Sequence, residues 1–137
     1  KAMSMLADKA IVSRLTYMDQ DILNLILLGK VKFIDAKYNT QFSLNYELKK
    51  SFVCPINDET VLIHYVGPTK PWHYWAGYPS AQPFIKAKEA SPWKNEPLMR
   101  PVNSNYARYC AKHNFKQNKP INGIMNYIYY FYLKIIK

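Results

Sequence analysis

Four β-favouring residues, Thr60-Val61-Leu62-Ile63, run directly into His64-Tyr65-Val66-Gly67-Pro68-Thr69-Lys70-Pro71-Trp72, and no other stretch limits the fold of the chain so closely. A short apolar run bounded by turn formers predicts a buried strand over 60–63. In open α/β sheets, ligands collect beyond the carboxyl ends of such strands, and His64 stands at that edge. A neutral imidazole can ligate a divalent metal. Gly67 lets backbone approach a phosphate without a Cβ in the way, and Lys70 offers an ammonium to phosphoryl oxygens. Pro68 and Pro71 stiffen the bend. The run therefore reads as a diphosphate and metal loop. A structural role fits the same letters: a histidine satisfied by one hydrogen bond at a strand end, with Gly and Pro as turn punctuation.

Upstream, residues 2–15 have helical composition. Asp19 can cap a helix running from Gln20 to Leu28, with Gly29 as its left-handed stop. Ile22, Leu23, Leu25, Ile26, Leu27 and Leu28 make that helix apolar around most of its circumference, which implies burial against further layers. Val31 to Ile34 is a candidate strand, followed by a polar connection through Lys37-Tyr38-Asn39-Thr40, where a turn-forming Asn is expected. Residues 45–51 fit a short helix or a loop. Beyond Trp72, Pro79, Pro83, Pro92, Pro97 and Pro101 break the chain into short pieces. Helical pieces are expected over 83–88 and 104–113, with a terminal helix over 122–136. In the last, Ile121, Ile124, Met125, Ile128, Tyr132, Ile135 and Ile136 follow the spacing of one apolar stripe. That stripe either covers the core or lies on a membrane surface beside Lys119, Lys134 and Lys137.

Charge separates the chain into unlike halves. Through Pro68 there are eight Lys/Arg against seven Asp/Glu, a net of +1; from Thr69 onward there are eleven against two, a net of +9. Such a surface attracts phosphate-bearing partners: nucleic acid, an anionic membrane or a phosphorylated glycolipid. Cys54 and Cys110 lie far apart without metal spacing and are expected to be reduced, in keeping with a cytosolic location. No apolar run approaches the ~20 residues of a membrane-spanning helix, so membrane contact is expected to be peripheral.

The run His64 to Trp72 resembles the His-x-x-Gly-x-x-Lys-Pro-Trp signature of glycosyltransferase family 8, the retaining transferases. Asp19-Gln20-Asp21-Ile22-Leu23-Asn24 resembles that family's Asp-Gln-Asp motif, and the order and separation of the two motifs fit. Ser91-Pro92-Trp93 and the basic, aromatic tail extend the likeness to the branch that transfers glucose or galactose onto lipopolysaccharide. The resemblance implies an α/β fold: residues 1–75 as the carboxyl-terminal part of a GT-A (nucleotide-diphospho-sugar transferase) catalytic domain, and 76–137 as a basic, aromatic, mainly helical extension. The family's nucleotide-binding half, with its metal-binding Asp-x-Asp, would precede everything seen here. Asp19-Gln20-Asp21 matches Asp-x-Asp by letters, yet it opens a helix instead of following a hydrophobic strand. Lys1 stands where an initiator Met would, and no signal-peptide architecture follows. The expectation is a carboxyl-terminal piece, inactive by itself.

By the same resemblance, Mn²⁺ or Mg²⁺ would neutralise the departing diphosphate, with His64 as one metal ligand and Gly67 and Lys70 on the phosphates. Asp19 would bind the donor sugar and Gln20 would face its anomeric carbon; both are the catalytic candidates. An amide is a poor nucleophile beside a carboxylate, which favours front-face attack over a covalent intermediate. The implied partners are a UDP-hexose donor, a lipopolysaccharide core acceptor and the cytoplasmic face of the bacterial inner membrane, where the protein would be peripheral. Self-association through exposed sheet edges and apolar helix faces is a further expectation. Trp72 reads as a pocket wall or as core, as do Trp75 and Trp93, and His73 and His113 receive no role. The competing reading is a non-catalytic basic module for anionic lipid or nucleic acid, resting on Tyr and Trp interleaved with the basic half. No nucleic-acid motif accompanies it, so nucleic acid is not expected as a partner.

Overall fold

The computed structural model describes residues 2–136; Lys1, and Lys137 beside the terminal stripe, lie outside the described residues. Two compact units divide the chain, Lys1–Ile34 and Asp35–Lys137.

The first unit holds α1 (Ala2–Leu6), α2 (Lys9–Val12) and α3 (Met18–Ile26), with α1 packing on both others. Asp8 caps α2 by accepting the Ala10 N–H at 2.9 Å. The expected cap of α3 is corrected: its N-cap is Tyr17, and Asp19 lies inside the first turn. Asp21 does the capping work instead, accepting the N–H groups of Thr16 (2.8 Å) and Tyr17 (2.9 Å). A carboxylate there satisfies otherwise orphaned donors and complements the positive end of the helix. Gly29 turns the chain at φ +73°, as expected, a little past the end of the helix. Burial of α3 is also corrected. Within the expected span 20–28 Ile22 is buried, while Leu23, Leu25, Leu27 and Leu28, the last two beyond the end of α3, are exposed. Val31, Phe33 and Ile34 are exposed too, and the expected strand 31–34 does not form: it has no ladder partner among the described residues.

The second unit is built around a two-stranded parallel sheet, β1 (Thr40–Phe42) and β2 (Ile63–Tyr65), with Gln41 opposite His64 and Phe42 opposite Tyr65. Parallel strands need a long crossover. Residues 43–62 provide it, opening with a 3-10 turn over Leu44–Leu48. The expected strand 60–63 is thus displaced toward the carboxyl terminus: Thr60 answers an Asx-type turn at Asn57 through its hydroxyl, and pairing begins only at Ile63. Consequently His64 lies mid-strand and not at the edge. A 3-10 turn over Ala36–Asn39 replaces the polar connection and leads into β1.

Phe42 and Leu44 from the strand and crossover meet Ala76, Tyr78 and Ala81 in the core, with Ile56 and Tyr65 packed against them. Burying a side chain such as Phe42 or Leu44 contributes about 1.5–3 kcal/mol. Three helices follow: α4 (Gln82–Glu89), α5 (Ser104–Lys116) and α6 (Pro120–Ile135), each within a few residues of its expected span. The Asn103 side chain caps α5 by accepting the Tyr106 N–H at 2.9 Å. Pro120 opens α6, where its missing N–H costs nothing. Between them Asn118 takes φ 57°, and the two helices pack as a hairpin. They come close at buried Gly123, where a Cβ would fall 2.6 Å from the Phe115 ring.

The terminal stripe does not cover the core. Ile121, Ile124, Met125, Ile128, Tyr132, Ile135 and Ile136 are all exposed, because α6 turns Gly123 and its polar Asn126 side toward α5 and Tyr74.

Candidate functional site

β2 delivers the signature loop. Its ladder continues one residue past the strand, where the Val66 N–H donates to the Phe42 carbonyl at 2.9 Å. Gly67 then takes φ +81°, a region L side chains avoid, and a Cβ there would lie 2.8 Å from Ser43 Oγ. Glycine is therefore required twice over, by backbone angle and by the close approach of the crossover. The turn brings the chain back so that Lys70 Nζ donates to the carbonyl of Tyr65 at 2.5 Å, with the Trp72 ring centroid 6.0 Å away.

A cavity of about 660 Å³ opens beside this turn, lined by His64, Tyr65, Lys70, Trp72 and Phe84 together with residues 60–63. Trp72 is half exposed and stands 6.0 Å from Phe84, forming an aromatic wall. Trp75 is core at 1 % exposure, and Trp93 is on the surface. His64 and Lys70 thus share one cleft. Gly67 shapes the turn without lining the cavity.

His64 is exposed, and its Nδ1 lies 3.2 Å from Asn39 Oδ1. An amide oxygen can only accept, so this contact assigns the proton to Nδ1 and leaves the lone pair on Nε2, the form that binds metals. One imidazole is a single ligand. Among the described residues there is no group of three or more His, Cys, Asp or Glu able to hold an ion, so these residues do not make a complete metal centre.

Asp19 and Gln20 belong to the first unit, on the opening turns of α3. Both side chains are exposed and make no hydrogen bond among the described residues. His64, Gly67 and Lys70 belong to the second unit.

Behind the loop are residues that pattern reading passed over. Thr69, His73 and His113 are buried. Nδ1 of His73 accepts the Lys70 backbone N–H at 3.1 Å, while the His73 backbone N–H donates to the Lys70 carbonyl at 3.0 Å. Its ring stacks on Trp75 at 4.2 Å. Burial, with Lys70 adding repulsion, lowers the His73 pKa to about 4. His113 is lowered to about 4 as well, by burial first and then by His73 and Lys112. Both rings are therefore neutral at pH 7. Burial also pushes the Tyr65 phenol up to about 12, with Cys54 adding to it; the phenol donates to the Ser80 carbonyl at 2.7 Å. Asn39 was legible only as half of a Tyr-Asn turn. The sequence carried no spacing that ties His113 to a residue on the signature loop. Cys54 is exposed and Cys110 buried, both as free thiols.

Comparison with known proteins gives a consistent picture. The family described as Glycosyl transferase family 8 matches residues 1–76, and Glycosyl transferase family 8 C-terminal matches residues 78–134. The chain is 53% identical over 136 residues to the lipopolysaccharide glucosyltransferase WaaO of Escherichia coli, covering 98% of this chain and 40% of that protein. It is 52% identical over 137 residues to the lipopolysaccharide 1,3-galactosyltransferase of Salmonella typhimurium, covering 100% and 41% respectively. A lipopolysaccharide 1,2-glucosyltransferase of Escherichia coli is 38% identical over 138 residues. The chain therefore spans about 40% of the length of the first two relatives. No solved structure matches it.

Proposed function

The chain belongs to glycosyltransferase family 8, and from that premise we propose that it carries part of a retaining, metal-dependent transferase that moves glucose or galactose from a UDP-sugar to the lipopolysaccharide core. One observation bears most of the weight: His64, the expected metal ligand, and Lys70, an expected diphosphate contact, line one cavity beside an aromatic wall. The assigned fold is GT-A, with residues 1–75 in its catalytic domain and 76–137 as the extension.

Negative charge grows on the diphosphate as the glycosidic bond breaks, so a donor already fixed in place stabilises the transition state without reorganisation cost. The Lys70 ammonium spends one N–H on the Tyr65 carbonyl, which aims the group and leaves two N–H bonds for phosphoryl oxygens. A divalent cation, Mn²⁺ or Mg²⁺, would neutralise the same charge when bound. His64 would supply one ligand through Nε2, and the remaining ligands would come from residues outside this chain. Asp19 would hold the donor sugar's hydroxyls. Gln20 would direct its carbonyl oxygen at the anomeric carbon while the acceptor hydroxyl enters on the leaving-group side and the departing phosphate takes its proton.

The proposed peripheral location at the cytoplasmic face of the inner membrane draws its support from α6. Its stripe is solvent-facing, Lys119 and Lys134 flank it, and neither α5 nor α6 carries an acidic residue. This is the composition of a helix lying on anionic headgroups. The exposed leucines of α3 suit self-association.

The test joins this chain to the portion of Escherichia coli WaaO that it does not cover and follows glucose transfer from UDP-glucose to truncated lipopolysaccharide. Lys70→Ala should lower kcat/KM by a factor on the order of 10²–10³, the cost of removing one preorganised charge donor. Unchanged kinetics would remove Lys70 from the site.

A further inference from the structure

Helix α5 reaches under the signature loop at one point. His113, 0 % exposed, sets Nε2 at 3.1 Å from both Thr69 Oγ1 and Asn45 Oδ1, and Nδ1 at 2.7 Å from Tyr78 OH. Because the Asn45 oxygen only accepts, Nε2 carries the proton and the Tyr78 hydroxyl donates to Nδ1. One neutral ring thereby joins three segments: the 3-10 turn after β1, the residue preceding Lys70, and the entry to the 3-10 turn over Pro79–Ala81. Resting on the diphosphate reading of Lys70, we infer that His113 is a positioning residue, by which the region of residues 78–134 fixes where the loop of residues 1–76 presents its ammonium.

A ring placed only to fill space would not need this surrounding. Thr69 is also 0 % exposed, and its hydroxyl points at His113 in a pocket closed to water. Such a hydroxyl is costly to bury without its partner, so the loop has one favourable position, the one that meets the ring. Thr69 is followed directly by Lys70, whose N–H and carbonyl are both held by His73. The backbone on either side of the ammonium-bearing residue is thus clamped, by α5 before it and by His73 after it. Side-chain reach from a clamped backbone is short, and the Lys70 ammonium stays on the Tyr65 carbonyl at the cavity. Without the His113 contact the fold would keep its apolar core of Phe42, Leu44 and Ala76, but Thr69 would be released.

The experiment is amide hydrogen exchange by NMR on the 137-residue chain, followed by titration with inorganic pyrophosphate. In His113→Phe and in Thr69→Val, the Lys70 N–H should exchange at least tenfold faster, while the Thr40 and Val66 amides of the sheet keep their wild-type rates. His113→Gln, whose amide can still donate to Thr69 and Asn45, should return the Lys70 rate to within about threefold of wild type. Thr69→Val keeps the ring in place, so it carries the test if His113→Phe does not fold. Unchanged Lys70 exchange in the folded variants overturns the inference; so does equal acceleration at Thr40 and Val66, which is global loosening. The pyrophosphate arm addresses the underlying reading separately. Saturable shifts at Gly67 and Thr69 that are lost in Lys70→Ala support it, and the same shifts kept unchanged in Lys70→Ala overturn the diphosphate role, whatever the exchange rates show.

Discussion

Acidification from pH 7 to pH 5 should weaken the second unit steeply, because two buried imidazoles must stay neutral for it to fold. His73 and His113 each fall from an ordinary 6.5 to about 4, both chiefly through burial. Between those values the unfolded chain binds protons at these rings and the folded chain does not, so stability drops as the pH falls. The contribution is whole above about pH 6.5, drains between 6.5 and 4, and is flat below. At pH 5 the linkage amounts to about 2 kcal/mol per ring relative to pH 7, and about 4 kcal/mol for the pair if they act independently. Against a typical domain stability of about 5–15 kcal/mol, that is a large fraction. Urea unfolding followed by tryptophan fluorescence isolates the effect, since Trp72, Trp75 and Trp93 all belong to the second unit. The urea midpoint should fall sharply at pH 5, and replacing both histidines by Gln should flatten the dependence. Equal midpoints at the two pH values, or imidazole NMR titrations of both rings near 6.5, would refute the reasoning.

Two further outcomes are expected. Gly67→Ala places a side chain at φ +81° and 2.8 Å from Ser43 Oγ. Left-handed backbone alone costs about 1–2 kcal/mol, so urea denaturation should show at least that loss, and Ser43→Gly in the same chain should recover only the part due to contact. Ile124→Glu with Ile128→Glu should leave stability within about 0.5 kcal/mol, since both sites are exposed, yet abolish co-flotation with phosphatidylglycerol vesicles; undiminished flotation would remove α6 from the membrane surface.

What could be read from the sequence followed how local each determinant is. The spans of α4, α5 and α6 are legible from the prolines that break the chain and, for α6, from the spacing of its apolar stripe, signals that act within a turn or two. The signature loop emerged from its letters, since Gly67, Lys70 and the two flanking prolines constrain one another at short range. The strand leading to it was set too early, because the apolar run Thr60 to Ile63 looks like the paired segment while β1 pairs only from Ile63. The α3 cap was misassigned because Asp19 and Asp21 are equivalent by type, and only the turn's geometry selects Asp21. His113 could not be connected with Thr69 at all. The two lie 44 residues apart, and a contact made once, between a helix and a loop, leaves no periodic trace.

The crossover between the parallel strands has one more consequence. Its first residues work as a splint: Ser43 sits against Gly67, Asn45 holds the His113 ring, and Glu47 accepts a hydrogen bond from the Ser80 hydroxyl at 2.5 Å. One extra residue among them would misalign all three supports together. The exposed stretch 49–55 bears none of them, so length variation among proteins of this architecture belongs there, and a tag or linker inserted at that bend would leave the cleft standing.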